Sequence, residues 1–134
     1  MYEGHEGTWK VYNEVLEEAV RTGQPILAIE NIPDKKTSLI GQLFLENYYR
    51  KRIANKVTAF VICPNTEAAQ QYQNIHENEF TNVKILPKLN IRGTTNVTGD
   101  QVMSYSVLPP RGTLRHDDIE AHDLKNIFQI LWQL

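Results

Sequence analysis

The sequence predicts an α/β domain built on a mixed, mostly parallel sheet with helices on both faces. Three observations carry this. From Thr8 to Leu86, segments of helical period alternate with short apolar runs. The run Val57 to Cys63 has no charge and is rich in β-branched and aromatic residues, the pattern of a strand covered on both faces. Strand–helix–strand alternation implies parallel strands joined by right-handed crossovers, while a later hairpin adds antiparallel pairs.

Taken in order, Tyr2 to Gly7 (YEGHEG) is a turn-rich opening. Thr8 is placed to cap a helix running to about Thr22, with Trp9, Tyr12, Leu16, Ala19 and Val20 inward and Val15 alongside, and Gly23 ends it. Pro25 to Ile32 (PILAIENI) is the first strand, with Glu30 and Asn31 at its C-terminal end, and Pro33 to Lys36 is a polar loop. In the next helix Leu39, Ile40, Leu43, Phe44 and Tyr48 form one stripe and Leu45, Tyr49 and Ile53 a second, so both sides are expected to touch protein.

Pro64 ends the strand from Val57. Asn65 or Thr66 caps a helix to about Asn78, with Ala68, Ala69, Tyr72 and Ile75 inward. Val83 to Leu86 is a short strand. Ile91 to Val97 and Gln101 to Val107 form a hairpin turning on Thr98, Gly99 and Asp100. Pro109 and Pro110 make a break, and Gly112 to His116 is an edge strand. Asp117 fits an N-cap, and Glu120 three residues on nearly completes a capping box. In the closing helix Leu124, Ile127, Phe128, Leu131 and Leu134 share a face while Ile130 and Trp132 fall off it. Such a helix is buried on two sides, the second being either the sheet or another subunit.

Composition narrows the function classes. At 134 residues the chain reads as one domain, large enough to bury roughly two-thirds of its unfolded surface without a metal or disulfide. With 41% hydrophobic and 22% charged residues it is globular rather than disordered. A net charge of −2 gives no support to a nucleic-acid surface. The basic cluster Arg50, Lys51, Arg52 and Lys56 falls at a helix C-terminus and complements its dipole. Cys63, the only cysteine, is read as a small buried apolar residue, in keeping with a reducing cytosol. No apolar run approaches the roughly 18 residues of a membrane span, and the N-terminus is no signal peptide; the expectation is a cytoplasmic protein without membrane contact.

Chemistry is sparse. Asp118 and His122 lie four apart on one helix face, with His116, Asp117 and Asp123 nearby, but no HExxH, paired cysteines or acidic calcium loop supports a metal. The patch is read as a solvated helix start, and neither metal nor cofactor is expected. Ser38, Ser104 and Ser106 carry no nucleophile-elbow pattern, and the seven glycines are scattered rather than forming a phosphate loop. Glu30, Asn31 and Asn65, at the ends of adjacent strands, are the candidate ligand contacts, because open α/β sheets bind at the carboxyl ends of their strands.

The motifs in order are YEGHEG before a helix, FLENYYRKRI, VTAFVICPNTEAAQQY, NVTGDQVMSYSV, and a last helix ending FQILW. Together they resemble the effector-side domain of TrmB-type transcriptional regulators, from Tyr2 to Leu134. The resemblance implies a single phospholipase D-like domain over residues 1–134, for ligand sensing and dimerisation, with a winged-helix DNA-binding domain absent from this chain. It further implies a homodimer, a small-molecule effector (a sugar or another metabolite), and DNA contact only through the missing winged helix. Ile130 and Trp132 are the candidate dimer contacts. The related enzymes need His-x-Lys-x4-Asp, but the positions two after each histidine here are Gly7, Asn78, Asp118 and Leu124. On the register of the NVTGDQVMSYS hairpin, Ile91, Gly93 and Thr98 occupy the motif positions and none can do the chemistry. No catalytic residue is therefore expected. The alternatives are a free-standing protein-interaction module, or a divergent phosphodiesterase-like hydrolase using His116 or His122.

Overall fold

The computed structural model describes residues 2–32, 39–78, 80–107 and 110–134. The elements are β1 (Tyr2–Glu3), α1 (Gly4–Thr22), β2 (Ile26–Ile29), α2 (Leu39–Ala54), β3 (Ala59–Pro64), α3 (Glu67–His76), β4 (Thr81–Leu86), β5 (Thr94–Thr98), β6 (Gln101–Val107), β7 (Pro110–His116) and α4 (Asp118–Trp132). One seven-stranded sheet runs β1-β7-β6-β5-β2-β3-β4.

The mixed α/β class holds, but the sheet is not mostly parallel. β2, β3 and β4 are parallel neighbours, and the other four pairings are antiparallel. A parallel return needs a crossover of a dozen or more residues. The connections through α2 and α3 are long enough, whereas β5, β6 and β7 follow one another too closely for anything but a meander. β1 was not foreseen: Tyr2 and Glu3 pair with Gly112 and Arg111, so β7 is not the edge. α1 also starts before Thr8, at Gly4. The polar loop at Pro33 to Lys36, the break at Pro109 and the side chains of Leu39, Ile40, Leu43, Phe44 and Leu45 lie outside the described residues.

The strand alternation sends side chains to two layers. On one face Ile26, Ala28, Ala59, Val61, Cys63, Val83 and Met103 meet Val11, Val15, Leu16 and Ala19 of α1, Tyr48 of α2, and Ala69 and Tyr72 of α3. On the other face Val97, Val102 and Leu27 meet Ala121 and Leu124 of α4. Among the described residues helices therefore cover both faces, three on one and one on the other. β3 between two partners has Ile62 and Cys63 fully buried, as its uncharged run predicts. Several residues assigned inward are exposed instead: Val20, Ile53, Ile75, Ile127 and Leu134.

Local signals explain the boundaries. Gly23 has φ +68 and its N–H donates to Ala19 C=O at 2.9 Å, the left-handed helix stop that favours glycine. Thr66, not Asn65, caps α3, its hydroxyl accepting from Ala69 N–H at 3.0 Å. Asp117 Oδ1 accepts from the N–H groups of Ile119 and Glu120, each at 3.1 Å. The capping box does not close, because the Glu120 carboxylate pairs with Arg115 and the Asp117 N–H donates to Asp100 C=O.

Candidate functional site

The carboxyl end of β2 faces two ways. Glu30 N–H donates to Ile62 C=O at 2.9 Å, so Glu30 prolongs the strand line. Alternation then sends Ile29 toward the α4 layer and Glu30 toward the layer of α1, α2 and α3.

On the helical side, Glu30 enters a cluster that holds five of the chain's six tyrosines. Tyr12 of α1 meets Tyr48 of α2 at 5.2 Å and Tyr105 of β6 at 6.0 Å between ring centroids. Tyr49 meets Tyr72 of α3 at 5.9 Å, and His76 lies 4.5 Å from Tyr49 and 4.8 Å from Tyr72. Burial lifts the Glu30 carboxyl to about 7, against the lowering influence of the Arg52 cation. Tyr12, Tyr48, Tyr49 and Tyr72 are held above their ordinary range, first by burial and further by the Glu30 charge. Burial likewise raises Cys63 to about 11, so its thiol stays protonated and unreactive at neutral pH.

Arg52 differs from the reading of its sequence neighbourhood. Arg50, Lys51 and Lys56 are exposed, but Arg52 is 2% exposed. Its guanidinium donates to Val57 C=O at 3.1 Å, Phe80 C=O at 2.8 Å and Thr81 Oγ1 at 2.6 Å. It ties the end of α2 to the starts of β3 and β4, with the Tyr49 ring 6.0 Å away.

On the α4 side lies a groove of about 520 Å³, within the size range of small-ligand sites. α4 packs over Leu27, Val97 and Val102. Beyond it the same face turns to hydroxyls: Thr95, Ser104 and Thr113 are direct partners across β5, β6 and β7, and Ser106 pairs with Arg111. Ile29, Ile91 and Leu124 form apolar walls, and Gly93 lies at the rim. A Cβ on Gly93 would stand 2.8 Å from Tyr105 C=O, so only glycine lets the chain approach β6 there.

The three sequence-derived ligand residues do not converge. Glu30 points into the tyrosine cluster. Asn31 is half-buried just beyond it. Asn65 is exposed and accepts from Gln70 Nε2 at 2.8 Å, which occupies it at the start of α3. Of the proposed dimer contacts, Ile130 is 58% exposed. Trp132 packs within the chain, against Phe60 at 5.5 Å and Phe128 at 5.9 Å, and its carbonyl accepts from Lys84 Nζ. Asp117 acts as a cap and His122 faces Asp123 at 3.4 Å; among the described residues no three metal-competent side chains come together. The tyrosine cluster, Arg52 and the hydroxyl-floored groove were not assigned from sequence. The available signals were tyrosines on the inward stripes of three helices and hydroxyls replacing apolar residues along β5 and β6.

These features define a seven-stranded mixed α/β domain with a half-buried glutamate on one side of a strand end and an open groove on the other. The fold is shared with TrmBL2, an archaeal chromatin protein whose structure shows a novel mode of DNA binding. The TM-score is 0.60 at 15% sequence identity, over 98% of this chain and 48% of that one. The chain thus spans about half the length of this neighbour. No protein-family model and no curated protein matches the sequence. Among the described residues no helix is long and apolar enough to cross a membrane.

Proposed function

We propose that this chain is the ligand-sensing and dimerisation domain of a TrmB-like transcriptional regulator, with a phospholipase D-like fold and no catalytic role. The observation that carries the reading is the fold likeness to TrmBL2 across 98% of the chain. DNA contact belongs to a winged-helix domain on the same polypeptide, which agrees with the net charge of −2 here. The cytoplasm is the matching location. A sugar or another metabolite binds beside the strand ends and alters how two copies sit together.

The outer face of α4 supports the dimer. Ile119, Ile127 and Ile130 lie there at helical spacing, 71%, 48% and 58% exposed. Ile130 is the better probe, since Trp132 is engaged with Phe60 and a change there disturbs the fold. The expected result is a dimer by light scattering that Ile130→Glu converts to a monomer with an unchanged circular dichroism spectrum, its Tm lower only by the stabilisation that association supplied. The sensing half is tested by a metabolite screen read as Tm shift, since a ligand at 100 times its Kd adds about 2.7 kcal/mol. A strict monomer at high concentration, together with no metabolite hit, would sink the reading. A ligand-free interaction module is the second reading, favoured by the same α4 stripe; dimerisation without any hit would select it.

A further inference from the structure

We propose that the groove beside α4 is the effector site and that its ligand is a small polyhydroxylated anion, a sugar phosphate or sugar acid, with Arg111 holding the anionic group. This rests on the sensing reading and names its site and ligand class.

The charge balance of the groove is one-sided. Among the described residues its lining includes one guanidinium and no carboxylate. The neighbouring Arg115 has its charge matched, pairing with Glu120 and donating to Thr113 Oγ1 at 3.1 Å. Arg111 has no ion-pair partner among the described residues, is exposed, and lines the groove. A planar guanidinium grips a carboxylate or phosphate through two parallel N–H donors.

The floor supplies the second half of the argument. Thr95, Ser104 and Thr113 form a row across three strands, with neighbouring Cβ atoms about 5 Å apart by strand geometry. A hydroxyl both donates and accepts, so such a row suits a ligand bearing several adjacent hydroxyls. The Ile29, Ile91 and Leu124 walls fit its C–H faces. A purely apolar ligand would leave the Thr95 and Ser104 hydroxyls desolvated and unpaired.

The test is an amide NMR titration of the whole chain with glucose 6-phosphate, gluconate, glucose and inorganic phosphate. Binding of glucose 6-phosphate or gluconate, with shifts confined to β5, β6, β7 and the segments of Ile29, Ile91 and Leu124, is the expected result. Glucose and inorganic phosphate alone should bind at least about tenfold more weakly, and Arg111→Gln should weaken the anionic sugar about tenfold or more, the scale of a lost charged hydrogen bond. The double variant Thr95→Val, Ser104→Ala should weaken it further at unchanged Tm. Equal affinity for glucose and its phosphate, or indifference to Arg111→Gln, overturns the anionic class while leaving a sensor standing. No binding by any of the four overturns the groove proposal. A hit from the metabolite screen that ignores the groove variants would then preserve sensing elsewhere, and an empty screen would remove both.

Discussion

Replacing Glu30 with Gln should flatten a specific part of the stability profile. The carboxyl sits among Tyr12, Tyr48, Tyr49 and Tyr72, with Arg52 the cation that influences it and His76 at the cluster's edge. Burial carries it from 4.5 to about 7. The unfolded chain titrates near 4.5, so below that value both states hold the proton and the contribution is fully present. Between 4.5 and 7 only the folded state holds it, and stability falls as pH rises, by about 1.4 kcal/mol per pH unit. Above 7 the loss is complete, about 3 kcal/mol in all. That is a large share of the roughly 5–15 kcal/mol typical of a domain.

Gln is close in shape to the protonated acid. The variant should match the wild type near pH 5 and exceed it by about 3 kcal/mol at pH 8. Urea denaturation followed by fluorescence of Trp9 and Trp132, from about pH 5 to about pH 8.5 at fixed ionic strength, measures the difference. Taking the difference between the two proteins cancels His76 and the other titrating groups. Two parallel curves across this range would refute the argument, since they would mean that Glu30 keeps an ordinary carboxylate environment in the fold.

Arg52→Met should cost about 3–5 kcal/mol by chemical denaturation, because Val57 C=O, Phe80 C=O and Thr81 Oγ1 lose their donor in a buried place. It should also move the Glu30 transition to higher pH, since the cation that lowers it is gone. Thr98→Val should be neutral or stabilising by up to about 1–2 kcal/mol: the Thr98 hydroxyl is fully buried and finds no hydrogen-bond partner among the described residues. Asp117→Ala should lower stability by about 1 kcal/mol while Asp117→Asn stays near wild type, as an Asn oxygen still accepts from the first turn of α4.

Much of the architecture was legible in the sequence where a local rule decides it. Gly23, Thr66 and Asp117 mark helix ends by their own chemistry, and Gly99 with φ +57 makes the hairpin turn that its neighbours Thr98 and Asp100 announce. The parallel half of the sheet follows from crossover length. The antiparallel majority was less legible because pairing partners far apart in sequence leave no local trace. Nothing in Tyr2 and Glu3 shows that they will sit beside Gly112 and Arg111. Short connections after β5 were nevertheless readable as a meander, and counting them against the length a crossover needs would have corrected the parallel bias.

The site was harder for a different reason: its meaning depends on which alternate residues end up covered. Along β6, Val102 lies under α4 while Ser104 and Ser106 stand beyond its edge. The change from valine to serine at a period of two therefore records where cover stops. That record can be read only once α4 is known to cross the strands rather than run along them. Likewise each tyrosine alone is an ordinary amphipathic core residue. Their convergence on Glu30 requires α1, α2 and α3 to be packed on the same face of the sheet, which periodicity cannot state. Glu30 itself was reachable, because a carboxylate at the C-terminal end of an inner strand has either solvent or a partner to face. The strand's alternation, applied one residue past Ile29, gives the direction, and the helices that lie there decide that it meets aromatic rings instead of water.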